Sequence, residues 1–358
     1  MGAYQAYAAS NVTVKNSYLH GWTIGDEILC DWAHGGIIAD ASPGFIVDNC
    51  IISNTEYART KNNGIAIRAG NISNTTIFDV ASVGSGTCNV HDSIFYNISY
   101  PNVDFDSGVC PGEDFHTNGL YTTGNGCRVY NNLIYNFKAN AAPLYPNPCT
   151  SGAGPNQDWT QYFYNNVIIL ESASGVPIAI DISPAVGGGG TGGYCGTVYL
   201  INNTIQSTSL IASVRSEKWV NTPSDIWYLN NLIIQNNHII NSDGSDTFCL
   251  GPPCVDSGSG RPQNLTRDYS DLFESNSTAT AQGYVSGNNY APAGISSGTV
   301  DAGTDVHVAL SCTNGVTCLD KLGVIHPRGS GWDIGAYEYV QHTGDTTPPG
   351  APTGLSIK

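Results

Sequence analysis

The stretch RVYNNLIYN, residues 128–136, decides the fold of this chain. In it, a pair of aromatic or aliphatic residues precedes two asparagines, and a second apolar run follows them. The same order returns as YFYNNVIIL at 162–170, YLINNTIQS at 199–207 and WYLNNLIIQ at 227–235, with weaker copies at 45–53, 71–80 and 88–97. The intervals between copies are uneven, and each has room for three short strand-like pieces. Such a repeat indicates a coil of strands with insertions at its corners.

Three strands per turn predict an all-β protein, a right-handed single-stranded parallel β-helix whose turns stack at roughly 4.8 Å. The double asparagine is expected at a tight corner, because asparagine tolerates a left-handed φ. Its amide can also bond the asparagine of the next turn. We therefore expect a stacked ladder of four asparagines: Asn132, Asn166, Asn203 and Asn231. A β-sandwich is the alternative fold, and it would show a turn about every 8–12 residues.

The composition favours strands and limits the partners. Of 358 residues 42 are Gly and only 12% are charged, and glycine and asparagine are poor residues for helix interiors. The net charge is −16, and such a surface repels nucleic acid and anionic lipid. No apolar stretch approaches the length of a membrane span. We expect neither a nucleic-acid partner nor a membrane span.

The 11 cysteines favour a secreted protein, extracellular or at a cell surface, because disulfides persist in oxidising compartments. The close pairs Cys249/Cys254 and Cys312/Cys318 are expected to close loops. Because the count is odd, at least one thiol is expected to be free or paired outside this chain.

The chain divides by composition into three parts. Residues 1–245 predict the coils, and the N-terminus is expected to begin inside the fold. Residues 246–340, rich in Ser, Gly and Asn, predict an irregular, loop-rich capping segment that ends in DIGAYEY. Residues 341–358 are typical of a Thr/Pro/Gly linker. Their APTGLSI resembles the first strand of a fibronectin-III-like module, which suggests attachment through further C-terminal modules.

The tail carries a second pattern. It includes Asp301-Ala-Gly-Thr, then Asp320, Gly323 and Arg328, and finally DIGAYE at 333–338. Together with the repeats, this tail resembles the closing segment of bacterial secreted right-handed parallel β-helix proteins of the pectate-lyase-like superfamily. The stretch GVIHPRG is slightly longer than the usual spacing. The resemblance implies an architecture only, since that superfamily includes polysaccharide lyases, hydrolases, tailspike-like depolymerases and surface proteins without known activity.

Candidate site residues follow from aligning one strand per turn. We align GIIAD (36–40), GIAIR (64–68), GLYTT (119–123), PLYPN (143–147) and PIAID (177–181), which predicts an outward column of Asp40, Arg68, Thr123, Asn147 and Asp181. Polar insertions at the neighbouring corners are expected to wall a groove across this face. The candidate catalytic residues are Asp40, Arg68, Glu113, Asp114, His116 and Asp181.

The candidate substrate-binding residues are cationic or aromatic side chains near the same groove: His34, Lys61, Tyr121, Tyr145, Trp159 and Arg215. No cofactor is required by the pattern, but carboxylates suit a hard cation, and Asp104, Asp106 and Asp114 are candidate Ca²⁺ ligands. Each residue type also has a structural interpretation: an exposed Asp–Arg pair contributes little, and a corner histidine can simply satisfy backbone groups.

Three functions remain open at this point. The first is a polysaccharide lyase or glycoside hydrolase that acts along the groove. The second is a non-catalytic surface, matrix or filament-forming protein, since exposed end strands allow coils to stack end to end. The third is an adhesin or fibre that binds cell-surface glycan without turnover. The sequence favours an extracellular, carbohydrate-associated protein and leaves catalysis undecided.

Overall fold

The computed structural model describes residues 4–5, 10–21, 35–39, 44–53, 65–80, 82–98, 119–137, 142–149, 159–170, 178–184, 192–208, 212–222, 225–251, 260–268, 270–313 and 317–340. The chain winds into a right-handed parallel β-helix with three strands per coil, which confirms the predicted fold class. Each strand pairs in parallel with the equivalent strand of the next coil.

Three sheets run along the helix. The first contains β1 (Tyr4–Gln5), β4 (Gly35–Ile38), the start of β7 (Ile65–Ser73), the start of β9 (Ser82–His91), β11 (Leu120–Thr123), β14 (Leu144–Asn147), β17 (Ile178–Ile182), β20 (Ala212–Ser216) and β24 (Phe248–Cys249). The second contains β2 (Thr13–Lys15), β5 (Ile46–Asp48), the ends of β7 and β9, β12 (Cys127–Tyr130), β15 (Thr160–Tyr164), β18 (Gly193–Ile201), β22 (Asp225–Gln235) and β25 (Asn264–Arg267).

The third sheet has nine strands: β3 (Tyr18–His20), β6 (Ile51–Ser53), β8 (Thr76–Phe78), β10 (Ile94–Tyr96), β13 (Leu133–Tyr135), β16 (Val167–Leu170), β19 (Thr204–Ser207), β23 (His238–Asn241) and β26 (Leu272–Ser275). Strand β21 (Lys218–Thr222) adds an antiparallel hairpin to the start of β22. The coils thus continue to Ser275, beyond the boundary at 245 expected from composition.

The interior is a set of vertical columns of apolar side chains. In the third sheet, the isoleucines of successive coils, among them Ile134, Ile168 and Ile205, are aligned in register and buried. In the second sheet, Val129 and Phe163 continue such a column. Each inward side chain stacks on the equivalent side chain of the next coil. The buried interior is therefore continuous along the helix axis, as stacking repeats require.

The corner between the second and third sheets explains the double asparagine. Its first residue adopts a left-handed φ in coil after coil, for example 57° at Asn131, 54° at Asn165 and 53° at Asn202. The second residue points inward and is buried. The amide of Asn132 donates to Asn166 Oδ1 at 3.0 Å, and that of Asn166 donates to Asn203 Oδ1 at 3.0 Å. The predicted ladder is therefore confirmed over these coils.

The fourth predicted member of the ladder is wrong. Asn231 lies within β22, where its side chain contacts Thr197 and Asn264 in adjacent coils. The corner of that coil is formed instead by Asn236 and Asn237, and Asn203 donates to Asn237 Oδ1 at 3.0 Å. The WYLNN copy predicted the wrong corner because it lies inside the long strand β22. The corner of this coil comes only after that strand ends.

A C-terminal segment, residues 276–340, follows the coils and packs on their outer surface. It contains α1 (Asn276–Ala281), a 3₁₀ turn (Ser286–Asn288) and α2 (His307–Leu310). The segment covers the corner of the asparagines: Asn165 Nδ2 donates to the carbonyl of Leu319 at 2.6 Å, and Asn236 Nδ2 donates to that of Thr304 at 2.8 Å. The segment thereby gives a hydrogen-bond acceptor to the side-chain nitrogens of both corner residues.

The DIGAYE stretch has a structural role. The carboxylate of Asp333 accepts the backbone N–H groups of Asp301 and Tyr339, at 2.7 and 2.6 Å. Asp320 accepts the backbone N–H of Glu338 at 2.9 Å. The side chains of Asp320, Asp333 and Glu338 are all buried. These buried carboxylates accept backbone N–H groups that strand pairing would otherwise satisfy, since the described part of this segment contains no strand.

Disulfides link coils and close one loop. Cys88 pairs with Cys127, Cys149 with Cys195, and Cys312 with Cys318, of which the last confirms the predicted loop disulfide. Cys249 is also disulfide-bonded, while its expected partner Cys254 lies outside the described residues. Among the residues that the structure describes, Cys50 is a free, buried thiol.

Candidate functional site

The outer face of the first sheet carries the candidate site, in a different register from the predicted one. Ile38, not Asp40, pairs with Arg68, and Arg68 pairs with Ser85. The predicted alignment is therefore displaced by two residues at its first strand, and Asp40 itself lies outside the described residues.

The C-terminal end of the predicted column is also displaced by two residues. Thr123 does pair with Asn147, as aligned. However, Leu144 pairs with Ile180. Asp181 therefore lies beside Tyr145 of the preceding coil, and not beside Asn147. The observed order on successive coils is Tyr121, Tyr145, Asp181 and Arg215, which spans roughly 14 Å at about 4.8 Å per coil.

Asp181 and Arg215 form the centre of this cluster. The Arg215 guanidinium donates from Nε to Asp181 Oδ1 at 2.8 Å and from Nη2 to Asp181 Oδ2 at 2.5 Å. The same Nη2 also donates to Glu217 Oε1. Asp181 is only 3% exposed. A forked pair of this kind is directional and strong because both partners are charged.

Two tyrosines extend the cluster along the sheet. Tyr145 donates its hydroxyl to Glu217 Oε2 at 3.0 Å, and its ring stacks on that of Tyr121 with the centroids 5.4 Å apart. Asn147 donates to the Tyr121 hydroxyl at 2.6 Å. Burial and the nearby charges of Glu217 and Asp181 raise the pKa of Tyr145 well above its ordinary value, so it remains a hydroxyl donor.

Glu217 is the residue of this cluster that the sequence did not single out. It lies two residues after Arg215, directly beyond β20, and therefore points to the same face. The alternation along RSE was available in the sequence, but Glu217 falls outside the aligned five-residue window. Its presence places two carboxylates on one guanidinium.

The other predicted site residues are distributed as follows. His34, Asp40, Lys61, Asp104, Asp106, Glu113, Asp114 and His116 lie outside the described residues, as does the side chain of Arg68. Trp159 directly precedes β15, a strand of the second sheet, and is half-buried. The structure thus brings together Tyr121, Tyr145, Asp181 and Arg215, and it places Trp159 on another sheet.

The described residues define what this cluster can do. Both carboxylates accept hydrogen bonds from Arg215, and the Glu217 side chain, which is 17% exposed, offers its oxygens to hydroxyl donors. Within the described parts of the chain, no group of three or more His, Cys, Asp or Glu side chains is arranged to hold a metal ion. No helix among them has the length and apolar character needed to cross a bilayer.

Comparisons with protein-family models, curated proteins and solved structures gave no match for this chain. The class of protein defined here is therefore the right-handed parallel β-helix itself, with a polar and aromatic cluster on the outer face of its first sheet. The family resemblance of the tail remains a proposal.

Proposed function

We propose that this is an extracellular, carbohydrate-associated protein that binds a glycan chain along the outer face of its first sheet. The observation that carries the proposal is the cluster of Tyr121, Tyr145, Asp181 and Arg215 in register on four successive coils, with Glu217 two residues beyond Arg215. Disulfides between coils fit an oxidising, extracellular environment.

The chemistry of the cluster suits a sugar chain. A saccharide presents hydroxyl groups that need both donors and acceptors, and it presents apolar ring faces that pack on aromatic rings. Arg215, which the buried Asp181 holds in place, supplies donors, Glu217 supplies acceptors, and the stacked tyrosines supply apolar surface. A rigid linear array of such groups matches an extended polymer better than a compact ligand.

The same geometry favours binding over acid catalysis by these two carboxylates. Glycoside hydrolysis needs one carboxylic acid protonated while the other stays ionised. Arg215 donates hydrogen bonds to both Asp181 and Glu217, so the same guanidinium already engages both carboxylates. Catalysis would instead depend on residues of the insertions, such as Glu113, Asp114 or His116, which stay predicted candidates for a lyase or hydrolase.

Binding and turnover on a polysaccharide panel test this proposal together. Binding is measured on immobilised glycans, and turnover by reducing ends and by the absorbance of unsaturated products. We expect the wild type to bind at least one polysaccharide and the Tyr121→Ala variant to bind it at least tenfold more weakly. Tyr121→Ala is the safer variant, because Arg215→Met would leave two carboxylates without their counter-charge.

Tyr194→Ala is the matched control. Tyr194 belongs to another aromatic pair, with Tyr228, on the outer face of the second sheet, and it is 39% exposed. Its loss should leave glycan binding unchanged. The proposal fails if no polysaccharide binds, or if both tyrosine variants bind as well as the wild type.

A further inference from the structure

A cavity of about 540 Å³ lies between the second sheet and the C-terminal segment. Asp92, Tyr130 and Tyr164 line it from the coils, while Leu310, Lys321 and Leu322 line it from the C-terminal segment together with the Cys312–Cys318 disulfide. This volume falls within the ordinary range for small-molecule sites. The cavity is remote from the cluster on the first sheet, since its residues belong to the second sheet and the corner beyond it.

Lys321 brings to this cavity an ammonium group whose hydrogen-bond donors are only partly used. Its Nζ donates to the carbonyl of Asn131, which occupies one of three donors. No carboxylate among the described residues forms an ion pair with it. Burial lowers the pKa of Lys321 to about 8, against the opposing effects of Asp92 and Asp320. The amine is therefore mostly protonated at neutral pH and has donors left for an anionic group.

Asp92 brings a negative charge to the same cavity. Its oxygens accept Asn131 Nδ2 at 3.1 Å and contact His91 Nδ1 at 2.7 Å, and its side chain is 41% exposed. Burial acts to raise the pKa of Asp92, but the hydrogen bonds from His91 and Asn131 outweigh burial and lower it. The group is ionised at neutral pH, and each carboxylate oxygen retains a lone pair for another donor.

The two charges influence each other but do not pair. Each shifts the pKa of the other, yet the two groups form no ion pair. A cavity that holds separated opposite charges complements a ligand that carries both charges. Beside these charges and the polar Asn131 and Thr317, the leucine side chains, the tyrosine rings and the disulfide supply apolar surface, which complements an apolar substituent on that ligand.

We propose that this cavity binds a zwitterionic ligand with an apolar side chain, a free α-amino acid or dipeptide. The ligand carboxylate binds Lys321 Nζ, its ammonium group binds the Asp92 carboxylate, and its side chain packs between Leu310 and Tyr164. This proposal is independent of glycan binding at the first sheet.

Calorimetric titration with three matched probes tests the proposal. Leucine carries both charges, leucinamide carries only the ammonium group, and 4-methylpentanoate carries only the carboxylate. We expect the intact protein to bind leucine at least tenfold more tightly than either analogue, because only leucine engages both charged residues. The proposal is overturned if leucine does not bind at millimolar concentrations, or if the three probes bind equally.

Two variants separate the contributions of the two charges. Asp92 adopts a φ of 52°, and asparagine occupies the equivalent corner position in neighbouring coils, so Asp92→Asn preserves the corner. It should weaken leucine binding at least tenfold and leave 4-methylpentanoate unaffected. Lys321→Met should weaken both of these probes, while the control Lys15→Met, at an exposed ion pair with Asp48, should change neither. Unchanged leucine binding in either cavity variant would contradict the assignment.

Discussion

At the scale of single residues, the fold depends on two asparagines with different tasks. Asn165 provides a left-handed backbone corner, while the next residue, Asn166, provides a buried amide whose oxygen and nitrogen are both engaged. Aspartate and asparagine replace one another at the first position, as Asp92 shows, because both tolerate a positive φ. At the second position the side chain changes along the helix, and Cys50, Thr75 and Ser93 occupy it in earlier coils.

The corrected ladder gives the first prediction. Asn237→Ala removes an amide that donates to the carbonyl of Leu200 and to Asp271, and whose oxygen accepts from Asn203. Because several buried partners lose their hydrogen bonds, the free energy of unfolding should fall by roughly 3 kcal/mol. Urea denaturation followed by circular dichroism measures this loss.

Asn231→Ala is the control for that prediction. Asn231 contacts Thr197 and Asn264 on the outer face of the second sheet, where water replaces lost hydrogen bonds. Its removal should change the free energy of unfolding by less than about 1 kcal/mol. Equal losses in the two variants would restore Asn231 to the ladder and contradict the observed corner.

Residue-scale prediction from sequence succeeded where the local chemistry is unambiguous. In the pair Asn165-Asn166 the first residue tolerates a left-handed φ and the second offers both a donor and an acceptor to the neighbouring coils, so its corner is recognisable. The predicted column of site residues was displaced because alternation along a strand shows which face a side chain is on. It does not show which residue of the next coil lies beside it. Insertions of different length separate the strands, so only the hydrogen-bonded register, such as that between Leu144 and Ile180, shows which residues of adjacent coils lie side by side.

At the scale of elements, the C-terminal segment depends on buried carboxylates. Burial, together with the charge of Glu338, raises the pKa of Asp333 from an ordinary 3.8 to about 7. The folded state therefore binds this proton more tightly than the unfolded chain does. The resulting stabilisation is complete below the unfolded pKa and is lost as pH rises through the folded pKa near 7.

The second prediction concerns this pH dependence. Between about pH 5 and pH 7 the contribution of Asp333 to the free energy of unfolding should decrease, by at most about 1.4 kcal/mol per pH unit, and above the folded pKa it should level off. The Asp333→Asn variant, which cannot ionise, should show a smaller decrease in urea midpoint over this range. Asp305→Asn serves as control, because the pKa of Asp305 is lowered and the residue does not titrate in this window. An unchanged pH profile in Asp333→Asn would contradict the assignment.

The sequence predicted an irregular closing segment, but it did not predict where that segment lies. DIGAYE is rich in apolar and acidic residues without a strand period, which indicates irregular structure. Its place along the asparagine corner depends on contacts of very long sequence separation, such as that between Ala336 N and Thr204 Oγ1 at 3.0 Å. Such contacts leave no local pattern, and the cavity lined by Lys321 could not be inferred for the same reason.

At the scale of the whole molecule, the coil converts long sequence separations into short distances. The Cys88–Cys127 disulfide is a natural instance, since residues of adjacent coils lie in register with their Cα atoms 4.5 Å apart. The cluster on the first sheet and the cavity lined by Lys321 both rest on this register, because each collects side chains from several coils. The register is therefore the central claim.

The most direct test of that claim is an engineered disulfide across two coils. Thr160 and Thr197 lie in register on adjacent strands of the second sheet, so Thr160→Cys/Thr197→Cys should oxidise to a disulfide in the folded protein, detected by mass spectrometry after proteolysis. Thr160→Cys/Tyr199→Cys, displaced by two residues, should not, because its Cα atoms would lie beyond about 7 Å. A disulfide in the displaced pair, or none in the registered pair, would contradict the account.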